Sequence, residues 1–172
     1  MLGIAVAVGI VVGLLISIFL VAPLQVGCYR WYILNRTSNP PMGELLNSFR
    51  NGYFNTAKIM FCKGLYTTLW SLLFIIPGII KAYEYSMIPY LLAENPNMSK
   101  QEAFAISKEL MDGNKFNAFV LDLSFILWNF VGALAFGLPG IFFVNPYVQL
   151  TNVELYVKLC QIRAERHNST YN

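Results

Sequence analysis

Residues 2–22 read Leu-Gly-Ile-Ala-Val-Ala-Val-Gly-Ile-Val-Val-Gly-Leu-Leu-Ile-Ser-Ile-Phe-Leu-Val-Ala, apolar throughout apart from Ser17 and the small residues. As one helix this stretch rises about 31 Å at ~1.5 Å per residue, enough to cross a hydrocarbon core roughly 30 Å thick. A cleaved leader would want a basic region ahead of the apolar run, and only Met1 precedes it. The aromatics Tyr29, Trp31 and Tyr32 follow, with Arg30 and Arg36 among and after them, as at a membrane–water interface. The chain therefore reads as an integral membrane protein.

Composition agrees. Of 172 residues, 56% are hydrophobic and only 12% are charged, against about a quarter charged in soluble domains. The length suits a single membrane domain. A net charge of +3, with no basic stripe interleaved with aromatics, excludes a nucleic-acid footprint. Cys28, Cys62 and Cys160 are too scattered for a disulfide framework or a CxxC pair, and read as small packing residues. The single histidine, His167, stands in a polar tail, so no metal site or cofactor is expected.

Further along, Pro40-Pro41 breaks a polar stretch, and residues 44–51 place Leu45, Leu46 and Phe49 on one face of a short amphipathic helix. Residues 58–76 are apolar and just long enough to span; Pro77-Gly78 marks a turn, and a returning helix over 79–94 carries Lys81, Glu84 and Pro89. Ser99-Lys-Gln-Glu102 is a capping box that opens a second amphipathic helix with Ala103, Ile106 and Leu110 on one face, ended by Gly113. An apolar run over 116–136, the turn Gly137-Leu-Pro-Gly140 and a helix over 141–163 complete the pattern.

These pieces repeat. Phe54-Asn55 falls on Phe116-Asn117, Pro77-Gly78-Ile79 on Pro139-Gly140-Ile141 and Tyr85 on Tyr147, a constant offset of 62; with one residue of slip Gly52 meets Gly113. The predicted fold is an all-α polytopic membrane protein with about five spans and two parallel repeats. Residues 1–34 form the first span, 43–95 and 99–163 the two units, and 164–172 a polar tail. Each unit is an amphipathic surface helix followed by a Pro-Gly-turned transmembrane hairpin. The first span reads as the returning half of an earlier unit. Lysines and arginines, Lys63 among them, gather on or near the surface-helix side, which places that side and the C-terminus in the cytoplasm of a plasma-membrane protein.

The segment Leu69-Trp-Ser-Leu-Leu-Phe-Ile-Ile-Pro-Gly-Ile-Ile-Lys-Ala-Tyr-Glu-Tyr-Ser-Met-Ile-Pro-Tyr90 resembles the signature of the domain-of-unknown-function 975 family of bacterial membrane proteins. Leu92-Ala-Glu-Asn-Pro96, Ser107-Lys-Glu-Leu-Met-Asp-Gly113, Leu121-Asp-Leu-Ser-Phe125 and Pro146-Tyr147 extend the resemblance over Pro23 to Leu159. It implies a multi-spanning membrane protein with no agreed catalytic residues. Members typically carry a further segment and span ahead of the region matching Leu2.

Ionisable groups at membrane depth are costly, so they mark candidate sites. Glu84, Asp122, Asn145, Gln149 and Asn152 are expected to line a polar groove between the hairpins, with Pro89 and Pro146 as kinks. The same side chains would also serve as interhelical glue. Lys81, one turn from Glu84, is placed to pair with it, and Glu154 closes the polar run of the last helix. No nucleophile–base constellation or phosphate loop is present, so a non-enzymatic role is expected. That role is binding or transport of a lipid, amphiphile or ion. The alternative is a structural or regulatory protein whose amphipathic helices form a cytoplasmic platform for a membrane-protein partner or a second copy.

Overall fold

A computed structural model describes residues 2–134 and 145–170, and every element among them is helical. Helix α1 (Leu2–Ile16) passes through a π-turn, Ser17–Val21, into α2 (Ala22–Asn35). Val11–Asn35 is the one stretch among the described residues long and apolar enough to cross a membrane. Apolar side chains along α1 and the π-turn stand open: Val6, Val8, Val11, Leu20 and Val21 are each more than half exposed.

A 3-10 turn, Met42–Leu46, and a single helical turn, α3 (Asn47–Arg50), lead into α4 (Tyr53–Leu73). The amphipathic helix expected over 44–51 is thus divided in two. It packs back along α2 so closely that a Cβ at Gly27 would overlap the Leu45 carbonyl. Ser48, not Leu45 or Phe49, is its buried side chain.

Helix α5 (Ile75–Glu84) returns antiparallel to α4, and the reversal falls at Phe74, three residues before the Pro-Gly pair. Phe74 alone is extended (φ −153°, ψ 138°); its amide donates to Trp70 and its carbonyl accepts from Gly78. Pro77 occupies the first turn of α5, where a missing N–H costs nothing. Gly78 serves the crossing, because a Cβ there would lie 2.5 Å from the Ser71 Cα.

The returning helix is also shorter than its hydropathy suggested. It stops at Glu84, turns through Tyr85–Met87 and resumes as α6 (Ile88–Glu94). Pro89 has no N–H for the Tyr85 carbonyl, which accepts the Ile88 amide at 3.4 Å instead. Pro89 is therefore a helix-starting residue rather than a kink. All six residues from Ile88 to Ala93 are buried.

Helix α7 (Lys100–Met111) opens on the expected cap, the Ser99 hydroxyl accepting the Glu102 amide at 3.2 Å. Ser99→Ala should cost about 1 kcal/mol, read as a lower Tm of detergent-solubilised protein. Ala103, Ser107, Leu110 and Met111 are buried on its inner face, while Gln101, Ala105 and Lys108 face outward. Gly113, at φ 74°, ends it, and Gly52, at φ 65°, plays the same part after α3. Then come α8 (Lys115–Leu134) and α9 (Asn145–Thr170). The Gly137–Gly140 turn lies outside the described residues.

The core sits where α2, α4, α6, α7 and α9 meet, around Val26, Ile59, Leu92, Met111 and Tyr156, each at most 1% exposed. Polar clamps tie its edge: Arg30 to Glu44 (2.8 Å) and the Ala93 carbonyl (2.9 Å), and Asn55 to the Pro96 and Met98 carbonyls (both 2.8 Å).

Candidate functional site

A cavity of about 310 Å³ opens between α2, α4, α5, α6, α8 and α9. On one wall, Lys63 and Thr67 stand one turn apart on α4. Lys63 is half-buried and has no carboxylate within ion-pairing reach among the described residues. The Thr67 hydroxyl is buried without a partner among them. From α8 comes Asp122, whose Oδ2 accepts the Tyr83 hydroxyl at 2.8 Å. Tyr29, Tyr83 and Tyr90 supply ring faces, Tyr29 and Tyr90 lying 4.3 Å apart between centroids, and Asn152 enters from α9.

Each wall follows from local structure. The Tyr85–Met87 turn swings Tyr83 and Tyr90 to the same space from two different helices. Tyr90 is held from behind by Tyr156, stacked at 5.4 Å, whose hydroxyl donates to Glu94 at 2.6 Å. Gln25 donates to the Tyr29 hydroxyl at 3.1 Å and steadies that ring.

Of the residues expected to line a groove, the structure brings two to this cavity. Asp122 and Asn152 line the cavity, and so does Pro89. Glu84 does not. It is 4% exposed and faces away, held by Lys81 at 2.8 Å and Lys115 at 3.2 Å, while its backbone carbonyl accepts the buried Ser107 hydroxyl at 2.7 Å. The Lys81 pairing is as the spacing predicted; Lys115 is added by the fold. Gln149 lies off the cavity, its Oε1 buried and without a partner among the described residues. The side chains of Asn145 and Pro146 lie outside those described. Glu154 points to the opposite surface, where Arg36 grips it through two hydrogen bonds of 2.5 and 2.9 Å. That contact holds the Arg36 proton above its ordinary range.

Lys63 and the tyrosines are the residues the sequence reading missed. Lys63 counted there only as an orientation charge, Tyr29 as an interfacial aromatic, and Tyr83 and Tyr90 only as part of the family resemblance. The signal that finds Lys63 is a lysine more than ten residues into an apolar helix, with Thr67 one turn on. Among the described residues no three His, Cys, Asp or Glu side chains converge as a metal site.

Among the described residues, an all-helical fold with one membrane-length apolar helix and a polar cavity lined from six helices defines the class. Within it, the chain belongs to the family described as a protein of unknown function, DUF975, whose model matches residues 4–163. No curated protein and no solved structure matches it.

Proposed function

We propose that this is a plasma-membrane protein that acts by binding rather than by catalysis, holding the headgroup of a lipid or amphiphile in the Lys63–Asp122 cavity. The observation that carries this reading is a cation and a carboxylate facing one cavity without pairing. A charge left unmatched near the bilayer is unfavourable, so both invite a ligand of complementary charge. Lys63 and the Thr67 hydroxyl suit a phosphate; Asp122 and the faces of Tyr29, Tyr83 and Tyr90 suit an amine through charge and cation–π attraction. A volume near the lower end of the roughly 300–1,000 Å³ common for ligand sites fits a headgroup better than a whole amphiphile.

Other features support the setting. The open apolar face of Val11–Asn35 suits contact with lipid. The left-handed glycines Gly52 and Gly113, each between a short helix and a long one, support the parallel repeat. The basic residues around α7 and the end of α9 favour a cytoplasmic C-terminus. The platform alternative is weakened, because α7 spends its apolar face on the core.

The test is native mass spectrometry of protein released from nanodiscs holding equal amounts of phosphatidylethanolamine and phosphatidylglycerol. The wild type should retain the amine-bearing lipid several-fold over the other. Lys63→Met and Asp122→Asn should each abolish that preference while leaving the protein monodisperse. Equal retention of both lipids by the wild type, or an unchanged preference in both variants, would overturn the reading.

A further inference from the structure

The far end of the α4–α5 hairpin carries five consecutive open hydrophobic residues: Leu72 (87% exposed), Leu73, Phe74, Ile75 and Ile76, the last four 63–76%. Between Lys63 and Lys81 there is no charged side chain. Ser71 donates to the Thr67 carbonyl at 2.9 Å, and the extended residue Phe74 has both backbone groups hydrogen-bonded. Pro77 brings no N–H at all.

Its reach is set at the other end. Glu84, the last residue of α5, is tied to Lys115, the first of α8, and to Lys81. That cluster marks a charged layer, and α5 rises only about 15 Å from it to the reversal. The hydrocarbon core is about 30 Å thick. A hairpin that crossed would set these five open hydrophobic side chains in water on the far side, where an apolar patch is unfavourable.

We infer that the α4–α5 hairpin is a wedge that enters one leaflet and leaves by the same face, its tip Leu72–Ile76 seated among lipid acyl chains near the bilayer midplane. The hairpin then contributes no crossings, and the five expected from hydropathy fall by two. The parity is unchanged, so the two termini still lie on opposite sides. Glu84, Lys81 and Lys115 sit at headgroup depth, which is where a charged cluster is tolerated.

The experiment uses single cysteines in a background lacking Cys28, Cys62 and Cys160, with the full-length protein in proteoliposomes. A cysteine at Ile75 should resist membrane-impermeant maleimide from both faces, while one at Asn97, exposed in the α6–α7 connection, reacts from one. A fluorophore at Ile75 should be quenched at least twofold more by lipids brominated deep in the acyl chain than by lipids brominated near the headgroup. Reaction of Ile75 from the face opposite Asn97 would mean a full crossing and overturn the wedge. Reaction from the same face would mean no insertion and overturn it equally. Protection without quenching would place protein, not lipid, over the tip and also end the proposal. None of these outcomes bears on headgroup retention, so the two readings stand or fall apart.

Discussion

Glu84→Ala is expected to destabilise the protein by about 3 kcal/mol, the lower end of the cost of breaking a buried ion pair. The carboxylate is buried and answers two lysines whose side chains are 25% and 30% exposed. Removing it leaves two like charges facing each other in a space water reaches only partly. Replacing all three by apolar residues (Glu84→Leu with Lys81→Met and Lys115→Met) should recover most of the loss, because desolvation of the charges disappears with them. The Tm of detergent-solubilised protein measures both. A single variant as stable as wild type would show that the triad is a surface accident. Asp122→Asn supplies the contrast, since it should leave Tm nearly unchanged and move only lipid retention. Under the proposed function, two acids that look alike in sequence separate into one that holds the fold and one that faces a ligand.

Gly27→Ala should be nearly as damaging. The added Cβ would collide with the Leu45 carbonyl, with the Leu45 carbonyl carbon 2.8 Å and its Cα 3.4 Å away. Backbone cannot swing aside as a side chain can, so α2 and the 3-10 turn must part. Overpacking of this kind costs on the order of 3 kcal/mol. The separation would also loosen the Arg30–Glu44 clamp, which spans the same joint. Gly64→Ala is the control: nothing lies within 4 Å of a Cβ there, and Tm should not fall by more than the detergent assay resolves. Equal Tm values for Gly27→Ala and Gly64→Ala would refute the close-approach account.

What could be read from the sequence was local. The Ser99 cap, the Gly113 stop and the Lys81–Glu84 pair depend on residues within a turn of one another, and all three are present. The hairpin reversal was misplaced because Pro-Gly has the chemistry of a turn, yet proline is equally at home in the first turn of a helix. Hydropathy ran through Tyr85–Met87 without pause, since a buried turn is as apolar as the helices beside it. Which way Glu84 faced depended on the rotation of α5 against α8 and α7, and periodicity within one helix carries no information about that. Asp122 and Asn152 were found because polar groups in apolar helices are conspicuous wherever they point. Lys63 was conspicuous in the same way and was assigned to topology instead.

The π-turn at Ser17–Val21 stores one residue more than an ordinary helical turn would hold. The widened backbone there lets the Phe19 carbonyl accept the Tyr53 hydroxyl, at 2.7 Å, so the surplus residue is pinned to the head of α4. A helix with such slack has a spare link. Deleting one residue from this segment would tighten it to an ordinary α-turn and leave the residues N-terminal to it on the faces they now occupy, because the surplus residue adds no net rotation. Within the regular helix α2 the same deletion would rotate one side of the cut against the other by about 100°, and Val26 and Gly27 could not both stay in the core with the rest of the helix. The apolar helix can therefore lose a residue at this point without changing the face it presents beyond the body it is joined to.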